Sequence, residues 1–258
     1  LSMNKEAARF FHACLNSSVD EAAQARAYWR RRGLDDRTIA RFGLGYAPDD
    51  GQALYHFLRD KGYTQAEMDA SGLFKRSPAG RIYCLFWRRV ITPIFDLRGN
   101  VIAFGGRVMD DSKPKYVNSP ETLVYHKSET VFALQMAKKD PSRRYVLCEG
   151  YMDVISMQQA GIGTAVCACG TALTQGQVKL LSEYADEVIL CYDSDEAGQK
   201  ATLRSLGLFQ SSPVQVGVLN IPNAKDPDEY IKKYGAERFR ELLDKAGNAL
   251  SERLVFNR

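Results

Sequence analysis

The sequence predicts an α/β fold: a parallel-sheet domain in the second half of the chain, a basic α+β lobe in front of it and helices behind. Between residues 144 and 201, apolar runs at 145–148, 164–169 and 188–192 alternate with two amphipathic segments of helix length, the pattern of a βαβαβ unit. Between residues 81 and 109 the period is different. There β-branched and aromatic residues flank the turn Leu97-Arg98-Gly99-Asn100, which reads as an antiparallel hairpin. Charge is also unevenly divided, with 20 Lys and Arg against 15 Asp and Glu in residues 1–130 and 15 against 16 in the remainder.

Each apolar run of the parallel unit stops where chemistry-bearing residues begin. The first leads into Glu149-Gly150, the second into Gly170-Thr171 and the third into Asp193-Ser194-Asp195. Ligands of open parallel sheets bind outside the carboxyl ends of the strands, so Glu149, Asp193 and Asp195 are expected at one edge. Carboxylates placed together raise one another's pKa, and a hard divalent cation relieves the repulsion. Asp153, one helical turn after Glu149, is a further ligand or water-mediated support. A fourth run at 214–219 precedes Asp226-Pro227-Asp228, which adds two carboxylates at the same edge. Any one of these Asp residues alone would read as a helix N-cap or turn residue. Ala197 and Gly198, at the start of the following helix, are small enough to admit phosphate or metal.

The front half reads in order as helices at 4–15 and 19–32, the second with Asp20 as its cap and Gly33 as its terminator, then a short helix to about residue 42. Arg30-Arg31-Arg32 is a helix end favourable to the dipole, and Arg32 is also a candidate contact to nucleic acid or nucleotide. An extended piece at 43–47 and helices at 52–61 and 64–71 lead into the hairpin. After it come Phe104-Gly105-Gly106-Arg107, Pro114-Lys115-Tyr116 and Tyr125-His126-Lys127. Paired glycines let a backbone approach phosphate, Arg107, Lys115 and Lys127 supply charge, and Tyr116 offers a stacking surface. A hairpin turn followed by a solvated loop is the alternative. Residues 130–139 are expected to be helical, as is the chain from about 229 onward.

Composition is that of a soluble globular protein, 45% hydrophobic and 26% charged, and the 258 residues suffice for a large core. No apolar run is long enough to span a bilayer. Six cysteines, at 14, 84, 148, 167, 169 and 191, read as small core residues, since Cys167-Ala168-Cys169 lacks the spacing of a zinc knuckle. Gly161-Ile162-Gly163 lacks the third glycine of a dinucleotide fingerprint.

The strings Glu149-Gly150-Tyr151-Met152-Asp153, Gly170-Thr171-Ala172 and Asp193-Ser194-Asp195-Glu196-Ala197-Gly198 resemble the TOPRIM motifs in the form carried by DnaG-type bacterial DNA primases. The string from Phe104 to Lys127 resembles the same family and is absent from topoisomerases. The resemblance covers residues 5–245. It implies a basic α+β subdomain at 1–142, a TOPRIM-type metal-binding subdomain at 143–228 and a helical segment at 229–258 that is shorter than the family's. It implies a DNA-directed RNA polymerase that makes short primers on a single-stranded DNA template from ribonucleoside triphosphates. The cofactor would be Mg²⁺ or Mn²⁺, held by Asp193 and Asp195 with Asp226 and Asp228, and Glu149 would be a ligand or the general base. Arg107, Lys115, Tyr116 and Lys127, with Arg32, would bind template and nucleotide. The family's zinc ribbon and helicase-binding domain have no counterpart here, so zinc is expected only in a missing N-terminal domain and the replicative helicase only through a missing C-terminal one. A cytoplasmic bacterial protein with no membrane contact is implied. Two other readings are a TOPRIM nuclease and a non-catalytic module that grips single-stranded DNA. A topoisomerase would need a nucleophilic Tyr on a further domain, and an Asp-x-Asp phosphatase would leave Glu149 without a role.

Overall fold

The computed structural model describes residues 1–170 and 172–255, with side chains as far as residue 246. It divides into two units, Leu1–His126 and Lys127–Arg258. The first contains α1 (Ser2–Leu15), α2 (Asp20–Arg31), α3 (Asp36–Phe42), β1 (Gly45–Ala47), α4 (Ala53–Asp60), α5 (Gln65–Ala70), β2 (Phe74–Arg76), β3 (Ile82–Cys84), β4 (Arg89–Phe95), β5 (Val101–Val108) and β6 (Tyr116–Asn118). Its main sheet has the order β1-β4-β5-β6, with all pairs antiparallel. The predicted hairpin is β4–β5, joined at Leu97-Arg98-Gly99-Asn100, where the Asp96 carboxylate accepts hydrogen bonds from the Arg98 and Asn100 amides. Pro93 is tolerated within β4 because β1 pairs only with Arg89 to Ile91, so the strand is already an edge where proline's missing N–H would matter.

The core of this unit forms where α1 lies on the sheet. Phe11 meets Phe104 and Phe86 edge-on, at ring separations of 5.5 and 6.5 Å, and Met3, Ala7, Leu54, Leu58 and Ile91 fill the space around them. Gly45 permits this approach, since a Cβ there would lie 2.7 Å from the Phe11 Cβ. Asp20 does not cap α2. Val19 occupies that position without a side-chain bond, and Asp20 sits in the first turn, where its charge favours the dipole. In α3, by contrast, Asp35 accepts from the Thr38 amide at 2.6 Å and Gly43 closes the helix in the left-handed region, so the extended piece begins only at Gly45.

The second unit contains a 3₁₀ turn (Lys127–Glu129), β7 (Val131–Phe132), α6 (Leu134–Ala137), β8 (Arg144–Cys148), α7 (Tyr151–Gln159), β9 (Ala165–Ala168), α8 (Gln175–Tyr184), β10 (Glu187–Cys191), α9 (Glu196–Phe209), β11 (Gln215–Val218), α10 (Pro227–Tyr234) and α11 (Ala236–Val255). Its sheet has the order β11-β10-β8-β9-β7 and is parallel except for β7. The helix expected over 130–139 is therefore corrected: Val131 and Phe132 pair antiparallel with Ala168 and Cys167, and only a single helical turn follows. That strand completes the sheet, and residues 127–142 fall within the second unit. The C-terminal helices also belong to this unit, where Phe239 of α11 is fully buried and its ring lies 5.8 Å from that of Tyr230.

Tyr145 to Cys148, Ala165 to Ala168 and Val188 to Cys191 are buried throughout, as continuous apolar strands covered on both faces must be. Chain order sets the functional edge. From β8 the chain moves outward to β9, then crosses back to place β10 on β8's other side, so neighbouring β8 and β10 form a topological switch point. Cys148 and Cys191 are register partners, and the residues just beyond them emerge together.

Candidate metal centre and nucleic-acid interface

Glu149 is exposed at the end of β8, and Asp193 follows β10 by one residue beyond Tyr192. The Asp193 side chain retains only 18% of its exposure. Burial, then the Glu149 charge, pushes its pKa up to about 6, opposed by Lys225, whose Nζ lies 3.6 Å from Oδ2. Lys225 is raised in turn, chiefly by Asp193. Asp153, buried in the first turn of α7, is pushed up to about 7 by desolvation and then by Asp226 and Asp193. These mutual effects put Glu149, Asp153, Asp193, Asp195, Asp226 and Asp228 within one electrostatic neighbourhood at the predicted edge.

Several of these carboxylates also do the work expected of lone Asp residues. Asp195 caps α9 by accepting from the Gly198 amide at 2.9 Å, and Asp226 caps α10 by accepting from the Glu229 amide at 2.8 Å. Asp153 accepts from the Gly150 amide at 3.1 Å. Asp228, 5% exposed, is paired with Lys232 at 2.7 Å. Among the described residues no three His, Cys, Asp or Glu side chains are preassembled to hold a metal ion. The donor set nevertheless fits a hard divalent cation: all donors are oxygens, burial and then mutual repulsion have raised two of their pKa values, and an ammonium group stands against Asp193.

Gly198 has a different role from the one expected. A Cβ on it would overlap the Asp193 carbonyl oxygen, so the glycine admits the backbone of the loop that carries Asp193. Of the Gly170-Thr171-Ala172 string, Thr171 lies outside the described residues, while Gly170 adopts a positive φ of 69°.

In the first unit, Arg107 and Tyr116 are partners across β5 and β6, and the Arg107 Nε donates to the Tyr116 hydroxyl at 3.0 Å. The guanidinium lies between two rings, 5.2 Å from the centroid of Tyr28 and 5.5 Å from that of Tyr116, and Nη1 also donates to the Tyr28 hydroxyl. Tyr116 is 56% exposed and offers a free face. Lys115 is exposed beside it, in a loop fixed by Arg89, which is buried and donates to the carbonyls of Pro114 at 3.0 Å and Trp87 at 3.1 Å. Arg32 is half-buried at the C-cap of α2, where its amide bonds the Tyr28 carbonyl at 3.0 Å. Lys127 opens the second unit, and its carbonyl accepts from Gln177 at 2.8 Å. Sequence reasoning missed Tyr28, Arg89 and Lys225. The first two read as core and strand residues, and only the position of Lys225 directly before Asp-Pro-Asp was a signal.

The cysteines are core groups: five are buried and Cys14 is half-buried, and desolvation pushes Cys84 up to about 12. No helix among the described residues is long and apolar enough to cross a membrane.

Residues 10–138 match the DNA primase catalytic core, N-terminal domain, and residues 146–231 match the Toprim-like family. A DNA primase of Clostridium acetobutylicum is 44% identical over 98% of this chain, which spans 42% of that relative's length. An Aquifex aeolicus DNA primase is 40% identical over 90% of this chain, covering 47% of its own. Among solved structures, the RNA polymerase domain of Mycobacterium tuberculosis primase DnaG aligns with a TM-score of 0.86 at 36% identity, covering 93% of this chain and 81% of that one. A DnaG primase catalytic domain bound to single-stranded DNA aligns with a TM-score of 0.85 at 34% identity, covering 95% and 78%. With both halves matched in order and solved catalytic cores aligned over nearly its whole length, this chain belongs to the DnaG-type DNA primase family.

Proposed function

We propose that the chain is a nucleotidyltransferase core that extends short RNA primers on single-stranded DNA, joining a primer 3′-hydroxyl to the α-phosphate of a ribonucleoside triphosphate and releasing pyrophosphate. The observation that carries this reading is the emergence of Glu149 and Asp193 from neighbouring, in-register strands, with Asp195 and Asp226 on the loops that follow. Divalent ions, Mg²⁺ or Mn²⁺, held by Asp193, Asp195 and Glu149 with support from Asp153, Asp226 and Asp228, would activate the hydroxyl and neutralise the leaving group.

The chain's own residues supply the rest. Glu149, exposed beside Asp193, is placed either to ligate or to take the hydroxyl proton. Caps at Asp195 and Asp226 tie both loops to helix N-termini. Arg107, held between Tyr28 and Tyr116, presents a rigid cation for phosphate, and the free face of Tyr116 suits a base. Lys115, Lys127 and Arg32 add charge for template and nucleotide. A replicative helicase and a zinc-bearing domain belong to the same reading, as partners of the longer protein. A related DnaG primase catalytic domain bound to single-stranded DNA and an Aquifex aeolicus primase structure comprising zinc-binding and RNA polymerase domains support it.

The test is incubation of the chain with single-stranded DNA, labelled ribonucleotides and Mg²⁺ or Mn²⁺. Short RNA dependent on template and metal is expected, and Asp193→Asn should lower the rate by about a hundredfold or more while leaving the circular-dichroism spectrum unchanged. Normal turnover in the folded variant overturns the site assignment. Cleaved DNA without synthesis would favour a nuclease.

A further inference from the structure

Lys225 combines a fixed backbone with a solvent-exposed side chain at the edge of the carboxylate cluster. The Ser194 amide donates to the Lys225 carbonyl at 2.9 Å, and the Ser194 hydroxyl donates to the carbonyls of Ala224 and Lys225, each at 3.2 Å. The Lys225 amide donates to Glu229 Oε2 at 2.9 Å. Asn223, at a φ of 58°, turns the chain into this segment. The loop after β11 is thereby tied to the loop after β10, and the root of Lys225 is held beside Asp193.

The ammonium group is held far less firmly. It lies 3.6 Å from Asp193 Oδ2, and its side chain is 61% exposed. Lys232, in contrast, lies 2.7 Å from the buried Asp228. A 3.6 Å pair whose ammonium end faces solvent is screened on that side, so the four-carbon stem can carry its charge elsewhere. Divalent cations held by Asp193 would offset the attraction that keeps the ammonium there. A triphosphate arriving at the same strand ends then supplies a polyanion within the swing of that stem, and a flexible lysine is a suitable point charge for it.

We propose that Lys225 is a phosphate-binding residue of this site, which neutralises Asp193 in the free protein and transfers to the β- and γ-phosphates of the incoming ribonucleotide, and then to the departing pyrophosphate. This rests on the nucleotidyl-transfer reading above. No bond to Lys225 is made or broken, and its ammonium keeps its proton throughout.

The experiment compares the 258-residue chain with its Lys225→Ala and Lys225→Arg variants. Calorimetry measures Mn²⁺ alone, then ATP and inorganic pyrophosphate each with Mn²⁺, and steady-state primer extension is run alongside. In the Ala variant, ATP and pyrophosphate should bind about tenfold more weakly, with KM for the nucleotide rising to match and kcat little changed. Mn²⁺ alone should bind it as tightly as the parent chain or about threefold more tightly, because a competing cation is gone. The Arg variant should recover most of the nucleotide affinity. If folded Lys225→Ala binds ATP and pyrophosphate like the parent, Lys225 is only a counter-ion of Asp193 and the proposal fails. If the parent chain itself binds no ATP in Mn²⁺, the nucleotidyl-transfer reading falls and takes this role with it.

Discussion

Asp153 occupies a place where both burial and its neighbours oppose a charge. Its carboxyl is buried, faces the fields of Asp226 and Asp193, and accepts a hydrogen bond from the Gly150 amide. Its pKa is about 7 in the fold against 3.8 for the unperturbed group, so the folded chain binds the proton more tightly than the unfolded one. Linkage then fixes the sign: stability is highest below pH ~4 and is lost as pH rises towards 7, by about 2–4 kcal/mol at this site. Asp153→Asn keeps an acceptor for the Gly150 amide and removes the charge. In EDTA the variant should therefore melt above the wild type at pH 8, with the gap closing towards pH 4, and thermal denaturation followed by circular dichroism across that range measures it. A gap that widened towards acid would contradict the raised pKa. Polymerase activity should fall in the same variant, because a charge that is unfavourable for folding suits a cation site.

At the scale of elements, the junction of β10 and α9 determines where Asp193 points. The α9 N-terminus touches the loop that carries Asp193 at Gly198, where no side chain fits, and the cap from Asp195 closes the same turn. Gly198→Ala must push the Asp193 backbone away, at a cost of about 2 kcal/mol typical of overpacking. The displacement should also lower nucleotide transfer by about a hundredfold, as ångström-scale misplacement of a reacting group does. A denaturant melt and a primer-extension assay on one preparation check both effects, and full activity with lost stability would separate the loop from the chemistry. This junction also shows what could be read from the chain. Strands β8, β9 and β10 were legible because continuous apolar runs bounded by Gly and Asp have few other readings. The carboxylates were legible because the strands deliver them to one edge. β7 was not, since two residues carry no periodicity and only pairing with Cys167 and Ala168 makes them a strand. Asp20 and Asp35 look alike in sequence, yet only Asp35 caps, because the residue before a helix is chosen by backbone geometry. Tyr28 and Arg89 were hidden for a related reason: each acts through a residue distant in sequence, Arg107 for one and Pro114 for the other.

Over the whole molecule, charge is unevenly divided, and the proposed roles follow the division. The basic excess lies in the first half, which holds Arg32, Arg107, Lys115 and Tyr116, and the carboxylates lie in the second. A polyanion held by the first set releases counterions, so affinity for single-stranded DNA should fall with salt along a linear log–log slope of about −0.7 per phosphate neutralised. Lys115, exposed on a loop that Arg89 holds in place, is a contact that can be removed without disturbing the fold. Lys115→Ala should weaken binding of a labelled oligodeoxynucleotide uniformly across sequences and make the salt slope shallower by about one contact, as read by fluorescence anisotropy from 50 to ~300 mM salt. Arg107→Ala should cost more, because the guanidinium is held between Tyr28 and Tyr116 and loses less freedom on binding. Mn²⁺ affinity should be unchanged in both variants, since the residues altered lie in the first unit and the carboxylates in the second. An unchanged slope for Lys115→Ala would take that residue out of the interface, and a matching loss of Mn²⁺ affinity would mean that the charge separation does not divide the two tasks.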